Sequence, residues 1–72
     1  MDAKEIGRFI CSLRKSKGYT QSALAEMLGI SNRTVSKWET GDGLPDISML
    51  PELAKVLGVS VDEILAGKRV QA

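Results

Sequence analysis

The chain contains no histidine, one cysteine, two prolines and one each of Phe, Tyr and Trp. Each shortage removes a class of protein. Without histidine the commonest general base and a principal zinc ligand are missing, and no Cys/His or Ser/His/Asp set can be assembled for nucleophilic catalysis. Cys11 has no partner for an internal disulfide, so stability must rest on packing. An enzyme, a metal site, a bound cofactor and a small-molecule ligand are therefore not expected. No apolar run approaches the roughly 18 residues that a membrane span needs, and the early acids Asp2 and Glu5 argue against a signal peptide. The expectation is a cytoplasmic protein with no membrane partner. Three aromatics, Phe9, Tyr19 and Trp38, are too few to support single-stranded nucleic-acid binding by stacking.

What is present fits one small domain. Seventy-two residues bury only about 60% of the surface that the unfolded chain exposes, which leaves no room for a second core. The formal net charge is +1, which by itself says little about partners. Its distribution says more. Between Arg14 and Trp38 the cations Arg14, Lys15, Lys17, Arg33 and Lys37 stand against one acid, Glu26. From Glu39 to Ala66 a single cation, Lys55, stands against Glu39, Asp42, Asp46, Glu52, Asp62 and Glu63. A basic half of this kind is the footprint of a polyanion site, with a solvated basic face as the plainer alternative.

Five short helices are predicted, and no strand. Asp2 and Glu5 form a start signal for a helix over about Ala3 to Ser16, in which Asp2 accepts from first-turn amides and Glu5 reaches back. Ile6, Phe9, Ile10 and Leu13 recur at helical spacing on its inner face, Cys11 lies on the flank without a role, and Gly18 closes it. Thr20 caps a second helix, Gln21 to Leu28, with Leu24, Ala25 and Leu28 inward and Tyr19 packing at its entry. Gly29 turns the chain, Ile30 plugs the corner, and Ser31 caps a third helix from Asn32 to about Glu39 or Thr40, anchored by Val35 and Trp38. Asp46 or Ser48 caps a fourth, ending at Leu57. Pro51 lies within the first turn if Ser48 caps, where its missing amide is harmless, so an irregular turn and then helix from about Met49 is expected. Ser60 and Glu63 form a capping box for a fifth helix, with Val61, Ile64 and Leu65 inward. One domain over 1–67 and a flexible tail over 68–72 complete the expectation.

The stretch Thr20 to Gly41, T-Q-S-A-L-A-E-M-L-G-I-S-N-R-T-V-S-K-W-E-T-G, organises the rest. A small residue (Ala25) at a crossing, a glycine (Gly29) at a three- or four-residue turn, and Val35 and Trp38 as anchors are what two helices meeting at a wide angle require. An ordinary helical hairpin explains those four residues equally well. It does not explain the acid-free polar run Asn32, Arg33, Thr34, Ser36 and Lys37 beside them.

From Ile6 to Leu65 the chain resembles the Cro and phage-repressor helix-turn-helix family, the lambda-repressor-like fold. The resemblance is carried by L-R-K-S-K-G-Y-T-Q-S-A-L-A from Leu13, L-G-I-S-N-R-T-V-S-K-W-E-T-G from Leu28, L-P-D-I-S from Leu44 and L-A-K-V-L-G-V-S-V-D-E-I-L from Leu53. It implies an all-α domain of five helices whose third helix enters the major groove of double-stranded DNA. By position, Asn32, Arg33, Ser36 and Lys37 would read bases, with Arg33 suited to guanine, Asn32 to adenine, and Lys37 either to guanine or to a phosphate. Gln21, Ser31, Thr34 and Thr40 would contact phosphates. Arg14 and Glu39 would pair to brace the third helix. Trp38 is expected in the core rather than on DNA, because a duplex offers no free base face.

The resulting expectation is a bacterial or phage transcriptional regulator, a repressor occupying a pseudo-palindromic operator as a homodimer. Its dimer contacts are expected around Asp42 to Asp46 and the fifth helix, including Val59 and Val61. The alternative is an antitoxin or other protein-interaction module of the same fold, using the acidic half from Asp42 to Glu63. A longer regulator of which this chain is the N-terminal part is also compatible.

Overall fold

The fold begins at Asp2, whose carboxylate accepts hydrogen bonds from the amides of Lys4 and Glu5, at 2.9 and 3.3 Å. In the computed structural model, which describes residues 1–70, α1 (Ala3–Ser16) comes next. The expected return contact from Glu5 is not among the described hydrogen bonds, so Asp2 caps alone. Thr20 Oγ1 accepts from the Ala23 amide (2.9 Å) to open α2 (Gln21–Leu28). Gly29 ends α2 at φ 69° and ψ 32°, a left-handed conformation that a side chain would strain. That turn lets the Ile30 amide bond back to the Ala25 carbonyl at 3.0 Å. Two residues later Ser31 Oγ accepts from the Thr34 amide (3.2 Å) and α3 (Asn32–Thr40) begins.

The fourth helix corrects the sequence reading in its details. Asp46 caps a single 3-10 turn, Ile47–Met49, by accepting from the Ser48 amide; α4 (Leu50–Leu57) then starts one residue later than expected, without a side-chain cap. Pro51 stands in its first turn, where a missing amide hydrogen leaves no bond unmade. Ser60 and Glu63 form the expected reciprocal capping box on α5 (Val61–Ala66). Beyond it the Val70 amide donates to Glu63 Oε2 at 3.0 Å, so the first part of the expected loose tail is tied to α5. Gln71 and Ala72 lie outside the described residues.

The core takes Ile6, Ile10 and Leu13 from α1, Leu24 and Ala25 from α2, Val35 and Trp38 from α3, four residues of α4 and Ile64 from α5. Phe9, Val61 and Leu65 were expected inward and are half-buried at its margin. α3 packs against both α1 and α2, while α5 packs against α1 and α4. The two-helix corner is thus held from behind by the first helix. Among the described residues there is no strand, and no helix is long and apolar enough to cross a membrane.

Candidate nucleic-acid interface

At 100° per residue, Val35 and Trp38 occupy one side of α3, and both are buried. Asn32, Arg33, Ser36 and Lys37 fall within an arc of about 140° on the opposite side. Asn32, Arg33 and Lys37 are exposed and Ser36 is half-buried. The structure therefore gathers the four expected base-reading residues on one polar face. Glu39 is the only acid on α3, and its side chain turns away from that face.

Two side chains make three hydrogen bonds to Glu39. Arg14 Nε donates to Glu39 Oε2 at 2.6 Å and Arg14 Nη2 to Oε1 at 3.0 Å, a two-pronged pair from α1 to α3. Gln21 Nε2, from α2, donates to the same Oε1 at 3.0 Å. The remaining Arg14 nitrogen donates to the Tyr19 carbonyl (2.8 Å), and Cys11 Sγ lies 3.7 Å from Nη2. One carboxylate thereby joins both helices of the corner to α1. The side chains of Arg14 and Glu39 are only 10% and 6% exposed, so water does not screen the pair.

Burial pushes the Glu39 carboxyl up, but hydrogen bonds from Arg14, Gln21 and Cys11 and the charge of Arg14 outweigh it, leaving the group below the ordinary glutamate range. The same hydrogen bond, from the other side, raises Arg14 above its already high value despite burial. Because the folded-state value of Glu39 is depressed, its stabilisation is complete above the unfolded-state value near 4.5 and is lost as pH falls through the lower folded-state value. Urea unfolding midpoints should accordingly fall on acidification below that range. In Glu39→Gln this acid limb should be shallower, the carboxylates Asp46 and Glu63, also depressed by their hydrogen bonds, supplying what remains. An equally steep limb in the variant would mean that Glu39 is not the group responsible.

The expected phosphate contacts are placed unevenly. Gln21 is committed through one amide hydrogen to Glu39, leaving its second hydrogen and its carbonyl available. Ser31 and Thr34 share a hydrogen bond of 2.9 Å at the N-terminus of α3, on the same end as Asn32. Thr40 stands at the other end, its hydroxyl 3.1 Å from Asp42 Oδ2, and the negative charge there makes it the least suited of the four to a phosphate.

Three residues that sequence reasoning passed over take part. Gly7 lies where α1 meets α3: a Cβ built on it would sit 2.1 Å from the Trp38 carbonyl oxygen and 3.1 Å from that of Glu39. The two backbones touch there, which brings Arg14 within reach of Glu39. A signal was available, since a glycine inside an amphipathic helix is unfavourable by itself and Gly7, Cys11 and Arg14 fall on one stripe at i, i+4 and i+7. Cys11, read as having no role, borders the ion pair. Ser22 accepts a hydrogen bond from Asn32 Nδ2 at 3.1 Å, for which the sequence offered no cue.

A family model described as helix-turn-helix matches residues 12–64. Among known sequences the chain is similar to the uncharacterized HTH-type transcriptional regulator YazB of Bacillus subtilis, 42% identical over 64 residues, covering 89% of this chain and 93% of YazB. It is also similar to the HTH-type transcriptional activator BcrR of Enterococcus faecalis, 38% identical over 66 residues. That match covers 92% of this chain but only 32% of BcrR, so the chain spans about a third of that relative. Among solved structures, the P22 c2 repressor protein in complex with a synthetic operator superposes with a TM-score of 0.83 at 36% identity, over 88% of this chain and 96% of that one.

Proposed function

The chain belongs to the helix-turn-helix family, and from that premise we propose that it is a cytoplasmic, sequence-specific regulator of transcription that binds double-stranded DNA. It acts as a repressor by occupying an operator, with α3 in the major groove. One observation carries this reading: α3 turns Val35 and Trp38 into the core and presents Asn32, Arg33, Ser36 and Lys37 outward on a face from which its one acid has been withdrawn. The description of the P22 c2 repressor as bound to a synthetic operator supports the same use of the corner.

Arg33 supplies the main discrimination, through the forked donors that match guanine O6 and N7, and Asn32 reads adenine. Gln21, Ser31 and Thr34 hold phosphates and set register, with Thr40 marginal. One such domain covers little groove, so the operator-bound form is a homodimer on half-sites about 34 Å apart. Leu44 and Ile47, 47% and 81% exposed around the Asp42 to Asp46 loop, support placing dimer contacts there, continued by Val59 and Val61.

Selection of binding sites from a fragmented genomic library tests this reading. The expected product is an inverted repeat, bound with an affinity that falls steeply with salt. Arg33→Ala should relax preference at one base position per half-site by about 1–3 kcal/mol, whereas Lys37→Ala should weaken all sequences alike and lower the salt slope by about 1. Recovery of no enriched motif, with salt-independent capture of a protein partner instead, would replace this reading by the interaction-module alternative.

A further inference from the structure

The hydrogen bond between Asn32 and Ser22 joins two exposed side chains ten residues apart, the first residue of α3 and the second of α2. Both line one open groove on the surface, together with Thr20 and Ala23. We infer that Ser22 is a positioning residue that sets the base preference of Asn32, an inference that rests on the DNA-binding reading above.

A carboxamide turns about a broad, roughly two-fold terminal torsion, so an unrestrained asparagine presents its donor and acceptor in either order. Asn32 is restrained. One of its Nδ2 hydrogens is donated to Ser22 Oγ at 3.1 Å; once the Ser22 proton is given to a phosphate, only the hydroxyl lone pairs face Asn32, which leaves a single order for the outward edge: one remaining N–H and the Oδ1 lone pairs. That edge is the complement of adenine N7 and N6 in the major groove. Ser22 is itself well founded. Its neighbours Gln21 and Ala23 are tied to Glu39 Oε1 and Thr20 Oγ1, at 3.0 and 2.9 Å, so the first turn of α2 has little freedom to follow Asn32. The Ser22 hydroxyl accepts from Asn32 and keeps its own proton to donate outward, toward a phosphate of the same duplex. Ser22 thus couples register on the backbone to the reading of one base, without touching that base.

The test is site selection from a randomised duplex library with the unmodified chain, Ser22→Ala, Ser22→Thr, Asn32→Ala and the Ser22→Ala/Asn32→Ala pair. Ser22→Ala should lower discrimination about three- to tenfold, the range of one lost hydrogen bond, at the same base position that Asn32→Ala flattens. It should leave the Arg33 position unchanged and add nothing at the Asn32 position when Asn32 is already alanine. Ser22→Thr, which keeps a hydroxyl, should restore most of the preference. An even loss over all sequences, with the Asn32 position retained, or an additive double variant overturns the inference alone. Failure of the unmodified chain to enrich any motif overturns the DNA-binding reading and this inference with it.

Discussion

Gly7→Ala is expected to destabilise the fold by about 3 kcal/mol, against the helix propensity of alanine, which alone would stabilise by about 1 kcal/mol. The added Cβ would lie 2.1 Å from the Trp38 carbonyl oxygen, a backbone atom that no rotamer change can move aside. α1 and α3 must then part by more than an ångström. The separation loosens the contacts of Ile10 and Trp38 and stretches the pair between Arg14 and Glu39, so the effect exceeds the overlap itself. A chain of this length has roughly 4–11 kcal/mol of stability in all. For so small a domain the melting midpoint should fall by about 10–25 °C. Thermal melting monitored by circular dichroism checks it, and a variant that melts at or above the unmodified chain would contradict the close approach of the two helices.

The second large effect concerns the brace. Arg14→Ala leaves the Glu39 carboxylate, its side chain 6% exposed, without its cation, and truncation of one member of a buried pair costs about 3–5 kcal/mol. Were the pair exposed, the corresponding figure would fall below about 1 kcal/mol. The structure decides between these two magnitudes, because a sequence cannot show whether solvent reaches the charges. The cost of truncation is not the net worth of the pair. Replacing both residues by apolar ones of similar volume, Arg14→Met with Glu39→Leu, should recover most of the loss. On DNA the single variant should weaken every sequence alike, because it frees α3 as a body rather than altering its outward face. A loss concentrated at one base position would show that Arg14 acts on base reading, and the brace would have to be abandoned as its role.

Most of the helices were legible because their signals are local. Asp2, Thr20, Ser31 and Ser60 each cap the helix that starts beside them, Gly29 and Gly58 end α2 and α4, and Ile6, Ile10 and Leu13 mark a buried face by spacing alone. Where two local signals competed, as Asp46 and Ser48 did ahead of Pro51, neither capped the helix proper: Asp46 capped a separate 3-10 turn, Ser48 capped nothing, and α4 began at Leu50 without a side-chain cap. The motif was legible too, since Ala25, Gly29, Val35 and Trp38 lie close together in sequence.

What the sequence by itself determined about this chain is its five-helix pattern, its helix-turn-helix corner and the polar, acid-free composition of the α3 face. Tertiary structure alone decided which atoms those residues spend on one another. The Arg14 to Glu39 pair was implied by the resemblance, but not its burial or the added bond from Gln21 of α2; nor was it legible that Asn32 leans on Ser22 or that Gly7 meets the Trp38 carbonyl across 31 residues of chain. Capping and periodicity act between residues a few positions apart, so they are written along the chain. Close approach, desolvation and shared hydrogen bonds act between residues that meet only when the helices pack, and no spacing encodes them.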